Sequence, residues 1–208
     1  MNHPSILAFD FEWHPSMSNK IAIGQFVCAN IVYIIDSYHM TDSENLEWID
    51  LMETFAARVT NQASPTTSPR RVLVGFGVDS DLKMLSKMKR RAVLHCNNDG
   101  NSSSSSRSRN PELVLHNKAG GTDGGLFDLQ TQENVAKRTK KNNNKGNSGR
   151  RKKKSLADLV LKYFPGKSLN KTCTMTNWLR RPLGQPQLEY AALDAIVCLL
   201  MYQRMNAA

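Results

Sequence analysis

Five side chains in three separated stretches have the types and spacing for joint chemistry: Asp10 and Glu12 in SILAFDFEW, Asp81 in LVGFGVDSD, and Tyr190 with Asp194 in YAALDA. An apolar run ending in D-x-E reads as a buried strand whose two acids, at i and i+2, project from one face. Tyr190 and Asp194 stand four apart in a stretch of helical periodicity, so the phenol and the carboxylate share a helix face. Any one of these residues alone reads as ordinary structure: a strand-end acid in solvent, a charge on a helix surface, a core tyrosine with a satisfied hydroxyl. Together they read differently. Grouped carboxylates repel and are costly to desolvate, so four of them drawn from distant segments make sense mainly around divalent cations. A set of hard oxygen ligands with no His or Cys suits Mg²⁺ or Mn²⁺ better than zinc.

The elements that must position these groups are legible in outline. Residues 5 to 11, 20 to 28 and 31 to 36 are apolar, β-branched-rich runs with short breaks between them, and predict three successive antiparallel strands. Helical spacing covers 44 to 59, with Ser43 as a candidate cap. RRVLVGFG predicts another buried strand, whose glycines suit a sharp turn into the helix DLKMLSKMKR. In that turn Asp79 and Asp81 compete for one role, the other being a helix-capping acid. GLFDLQTQENVAKR predicts a short element ending at Asp128 and then a helix, SLADLVLKYF is amphipathic, and a closing helix runs from about Gln185 to Met205. The periodicity gives an α/β domain with a mixed central sheet and no internal repeat.

Taken in order, these blocks resemble the three motifs of the DEDDy branch of the DnaQ-like 3′-5′ exonucleases, and are similar to the Werner syndrome exonuclease domain and the Mut/Nibbler-type exoribonucleases. The likeness extends through KSLADLVLKYFPGKSLNKTCTMTNWLRRPLGQPQLEYAALDA and covers about Ser5 to Met205 with two interruptions. It matches Asp10 and Glu12 to the first motif, Asp81 rather than Asp79 to the second, and Tyr190 with Asp194 to the third. The sister branch carries His five residues before its last acid, where this chain has Glu189. The resemblance implies a ribonuclease-H-like fold with a five-stranded mixed sheet flanked by helices. It also implies a metal-dependent exonuclease that works on single-stranded RNA or DNA 3′ ends and releases nucleoside 5′-monophosphates. RNA is slightly favoured over DNA, because the C-terminal block is closer to the Mut/Nibbler group. Two ions, Mg²⁺ or Mn²⁺, would be held by Asp10, Glu12, Asp81 and Asp194, with Tyr190 orienting the attacking water. A nucleic-acid-binding scaffold that has lost catalysis remains the alternative, although all five residues are present.

Substrate contacts are read from neighbours of the motifs. Trp13 follows the acid pair and is either a stacking platform for a terminal base or a core aromatic. Arg180 and Arg181, in TNWLRRPL, are candidate phosphate contacts, with Lys167 and Lys171 weaker ones. Trp178 reads as packing and His14 as a loop histidine.

The length of 208 residues fits one domain, taken as 1–208 with disordered insertions at about 97–125 and 137–154. The formal charge is +10, but ten Lys/Arg and no acid fall within 137 to 154, which leaves 18 Lys/Arg against 18 Asp/Glu elsewhere. This Asn/Gly-rich tract is either a sequence-independent attractor of phosphate backbones or a solvated insertion with no part in binding. Its run RRKKK at 150 to 154 fits a nuclear-localisation pattern and leaves a cytoplasmic location open. Cysteines at 28, 96, 173 and 198 form no metal spacing and read as reduced thiols of an intracellular protein. No secretory leader is apparent and no apolar stretch approaches the roughly 20 residues that span a bilayer, so no membrane partner is expected.

Overall fold

The computed structural model describes residues 5–13, 20–60, 71–98, 125–133 and 154–207. His14, nearly all of the insertion at 97–125, and all of the basic tract except Lys154 lie outside them. Five strands, β1 (Ser5–Glu12), β2 (Ile23–Cys28), β3 (Ile31–Ile35), β4 (Arg71–Gly75) and β5 (Gly125–Asp128), form one sheet in the order β3-β2-β1-β4-β5. The first three are antiparallel neighbours, whereas β4 runs parallel to both β1 and β5. The sheet is therefore mixed, and the C-terminal ends of β1, β4 and β5 open on one edge. No helix among the described residues is long and apolar enough to cross a membrane.

Alternation along β1 divides the core. Phe9 and Phe11 turn to the face covered by α1 (Asp42–Thr60) and α2 (Asp79–Asn98), where they pack with Trp48, Ile49, Leu82 and Leu85. Ala8 turns the other way, toward α3 (Leu156–Tyr163) and α4 (Gln185–Asn206), into a cluster with Leu159, Ala195 and Cys198. The period of two that sends Ala8 to α4 sends Asp10 and Glu12 there as well. Small residues on both sides let helix and strand approach closely.

The cap expected at Ser43 is instead Thr41. Thr41 Oγ1 accepts from the Glu44 N–H (3.2 Å), and Glu44 Oε2 accepts from the Thr41 N–H (2.7 Å), a reciprocal pair that starts α1 two residues earlier. Ser155 and Asp158 form the same device at α3. Between β4 and α2 the chain turns through Gly77, whose φ of +66° suits a residue without a Cβ. A Cβ on Gly75 would lie 2.6 Å from Val78 Cγ1, so this strand end must also be glycine for the turn to fold back this tightly.

Candidate active site

The carboxylates from β1 and α4 converge. Asp10, Glu12 and Asp194 each present one oxygen, all within 4.8 Å of one another. Asp81, in the first turn of α2, is buried and raises Glu12 electrostatically, whereas Asp79 is exposed two residues earlier. The turn at Gly77 thus presents Asp81, not Asp79, to the end of β1.

Electrostatics describe a strained cluster. Burial, and then the charge of Asp194, pushes the Asp10 carboxyl up to about 7. Glu12 is pushed up to about 10, by burial first and then by Asp10, Asp194 and Asp81. Asp81 is raised well above the carboxylate range by burial, Asp10 and Asp128. Burial also raises Asp194, opposed by a hydrogen bond from Tyr190 and by the charge of Lys171. The charge of Lys171, in the α3–α4 loop, acts on Asp10 and Glu12 in the same downward sense. Cys198, one turn beyond Asp194, lies beneath the acids, and its thiol stays protonated through burial and their charge.

Such a group of acids needs positive charge, and the residues present fit divalent cations. Asp194 Oδ1 is buried with no hydrogen-bond partner among the described residues, the deficit that a cation would make good. Every donor in the cluster is a carboxylate oxygen, the set that Mg²⁺ and Mn²⁺ take.

Tyr190 lies in a small core with Ala22, Ile23, Trp178 and Ala191, its ring 6.0 Å from that of Trp178. Its hydroxyl is 3.0 Å from Thr174 Oγ1, and burial raises a pKa that is already high. The phenol is therefore a donor that orients a neighbour rather than a base. Tyr190→Phe is expected to lower kcat by about 10- to 100-fold with little change in cation affinity, since only an orienting hydrogen bond is lost. Single-turnover cleavage alongside Mn²⁺ titration checks this, and full turnover with weakened oligonucleotide affinity would make Tyr190 a substrate contact.

Arg181, a candidate phosphate contact, has internal partners: Nε donates to Asp36 Oδ2 (2.6 Å), Nη2 pairs with Asp36 Oδ1, and Nη1 donates to the carbonyl of Trp178 (2.7 Å). The guanidinium also lies over the Tyr38 ring, 5.7 Å from its centre. This fork ties the loop before α4 to the β3–α1 connection and holds the Asp36 carboxyl well below its usual range. Arg181→Met is expected to destabilise the fold by about 1–2 kcal/mol, read by denaturant melts. Arg180, in contrast, is exposed. Trp178 is fully buried, as its packing role predicts, and Trp13 is partly buried against the core under α1 and α2.

Two residues with no assigned role in the sequence belong to the support of the site. Asp128 Oδ1 accepts from the Gly77 N–H (2.8 Å) and the Gln130 N–H (3.0 Å), and Oδ2 accepts from Thr131 Oγ1 (2.7 Å). One carboxylate thus caps the helical segment at 129–133 and fixes the turn that aims Asp81. The signal was an acid at a strand end with Thr three residues on, a capping pattern. Thr174, which holds the Tyr190 hydroxyl, gives no signal in sequence.

The profile of the 3′-5′ exonuclease family matches residues 1–208. Exonuclease mut-7 of Caenorhabditis elegans is 28% identical over 97% of this chain, and the Exonuclease mut-7 homolog of Aedes aegypti is 29% identical over 97%. The chain spans only 19% and 24% of the lengths of those two proteins. Among solved structures, the Aedes aegypti Nibbler EXO domain superposes with a TM-score of 0.60 at 24% identity, covering 97% of this chain and 77% of that one. Escherichia coli RNase D superposes with a TM-score of 0.54 at 21% identity, covering 97% and 39%. These likenesses match the mixed five-stranded, ribonuclease-H-like sheet, and with a profile that spans its whole length the chain belongs to the 3′-5′ exonuclease family.

Proposed function

We propose that this chain hydrolyses phosphodiester bonds from the 3′ end of single-stranded nucleic acid, RNA ahead of DNA, releasing nucleoside 5′-monophosphates. The observation that carries the reading is the convergence of Asp10, Glu12 and Asp194 within 4.8 Å, with the charge of the buried Asp81 acting on Glu12. Asp10, Glu12, Asp81 and Asp194 are the residues that would hold two divalent cations, Mg²⁺ or Mn²⁺. Bound there, the ions supply a lowered pKa for the attacking water and charge relief at the departing 3′ oxygen. The remaining work belongs to the protein. Tyr190, kept neutral by burial and held by Thr174, is placed to donate a hydrogen bond at the edge of the cluster. Lys171 and the exposed Arg180 offer cations for the substrate backbone, and Trp13 offers an aromatic face for a terminal base.

Incubating the purified chain with 5′-labelled and 3′-labelled RNA and DNA, in Mg²⁺, Mn²⁺ or EDTA, tests the reading. A one-nucleotide ladder shortening from the 3′ end, longer on RNA and absent in EDTA, is the expected result. Oligonucleotide binding without any ladder would instead favour an inactive scaffold.

The basic tract calls for its own experiment, and the structure alters where a deletion must stop. Lys154 Nζ lies 3.6 Å from Glu133 Oε1, and the Lys154 carbonyl accepts from Gln130 Nε2 at 2.9 Å. Lys154 therefore belongs to the fold, and the deletion spans 137–153. It is expected to leave melting unchanged and to flatten the slope of log affinity against log salt, because the tract adds charge but no apolar surface. Equal slopes for the two chains would assign the tract no part in binding.

A further inference from the structure

Gln25 lies in the middle of β2 with no exposed surface, and neither Nε2 nor Oε1 has a hydrogen-bond partner among the described residues. Leaving a buried polar group unpaired costs about 1–3 kcal/mol, so a side chain with both ends unpaired calls for an explanation. The sheet register identifies its surroundings. Gln25 stands directly opposite Asp10 on β1, and directly opposed residues of an antiparallel pair share a face with Cβ atoms about 4.5–5.5 Å apart. The adjacent pairs bear this out: Phe9 and Phe26 both enter the core under α1 and α2, while Ala8 and Val27 both enter the core under α3 and α4. Gln25 therefore faces α4, as Asp10 and Glu12 do, toward the helix that carries Asp194.

Its polar surroundings in the sheet are narrow. Along β2 its same-face neighbours are Ile23 and Val27, and across β3 it meets Ile34, all apolar. Across β1 it meets Asp10, with Glu12 on the diagonal. On α4 the buried Ala191 and Ala195 flank Asp194 with side chains that take little space, and Asp194 Oδ1 also lacks a partner. Unpaired polar atoms, both ends of the Gln25 amide and Oδ1 of Asp194, thus stand on the two elements that enclose the Asp10 carboxylate. An amide suits such a place, because it donates to a carboxylate without adding charge to a crowded cluster.

We propose that Gln25 is a positioning residue of the cation site: its amide, directly or through one interior water, hydrogen-bonds the Asp10 carboxylate and fixes which oxygen faces the metal. The proposal rests on the divalent-cation reading given above. Carboxylate ligands are held by outer hydrogen bonds of this kind, and losing one costs about 10- to 100-fold in metal affinity or activity.

Mn²⁺ affinity, measured by titration calorimetry on the full chain for wild type, Gln25→Met and Asp10→Asn, tests the proposal together with melting in EDTA. Methionine keeps length and apolar bulk but removes the amide. The expected result is a metal-free melting temperature equal to or above wild type, with a Mn²⁺ Kd raised about 10-fold or more. Wild-type Kd in folded Gln25→Met overturns the positioning role alone. A wild-type chain that binds no Mn²⁺ overturns the cation reading and this role with it. Should the methionine variant fail to fold, the assigned Gln25 side-chain amide of the unaltered chain gives the answer by NMR. It is expected to shift in step with Mg²⁺ saturation, and a resonance that stays fixed as Mg²⁺ saturates rejects the proposal.

Discussion

Asp10→Asn is expected to lower 3′-end cleavage by about 10³-fold or more while raising the melting temperature of the metal-free protein. The loss follows from position: Asp10 is one of three carboxylates that converge within 4.8 Å, and removing a ligand charge costs several kcal/mol of transition-state stabilisation, with about 4 kcal/mol equal to about 10³-fold. The gain in stability has the same origin. Without a cation, burial and the charge of Asp194 oppose ionisation of Asp10, whose carboxyl is pushed up to about 7. A neutral amide of nearly the same shape removes that opposition, worth about 1 kcal/mol after allowance for solvent, or about 2–4 °C. Asp194→Asn is expected to behave alike. Labelled-oligonucleotide ladders in Mn²⁺ and thermal melts in EDTA at pH 8 measure both effects. Wild-type cleavage by a folded Asp10→Asn chain would remove Asp10 from the catalytic centre.

Withdrawing the cation should also invert the usual dependence of stability on pH. Asp10 is raised to about 7 and Glu12 to about 10, so between pH 5 and pH 8 the folded protein binds more protons than the unfolded chain. Stability then falls as pH rises, being fully present below the ordinary carboxylate range and lost through the raised values. Asp36, held low by Arg181, acts with the opposite sign but at pH values below this window. In EDTA the melting temperature is therefore expected to be higher at pH 5 than at pH 8. Saturating Mn²⁺ at pH 8 should restore it by about 5–10 °C, since 100 Kd of a ligand that binds only the folded state contributes about 2.7 kcal/mol. A melting temperature in EDTA that climbs from pH 5 to pH 8 would show that these carboxylates are not crowded as the fold implies.

Inactivation by Asp10→Asn and pH inversion in EDTA separate two properties of one cluster. The first requires nucleic acid and a cation, whereas the second is a property of the bare protein. A protein that shows the inversion but no cleavage would retain the architecture of the site without its activity, the behaviour of a scaffold. A protein that shows neither would place the acids in solvent.

The sequence by itself determined what depends on local periodicity. Asp10 and Glu12 share a face because strand side chains alternate, and Tyr190 and Asp194 share one because a helix turns every 3.6 residues. For the same reason β1, β2, α3 and α4 fall close to their expected places. Tertiary structure decided everything that depends on what lies across a gap in the chain. Asp81, which the resemblance already preferred to Asp79, is the one that is buried, and the Gly77 turn before it is held by Asp128 from 51 residues away. Arg181, which shares a dipeptide with Arg180, is withdrawn from the solvent by Asp36, 145 residues distant. Thr174 acquires its part from Tyr190, and Gln25 acquires its surroundings from the register with β1. Arg and Gln carry no periodic signal that separates a ligand contact from an internal tie. Their free energy comes from partners that only the folded chain brings within hydrogen-bond range.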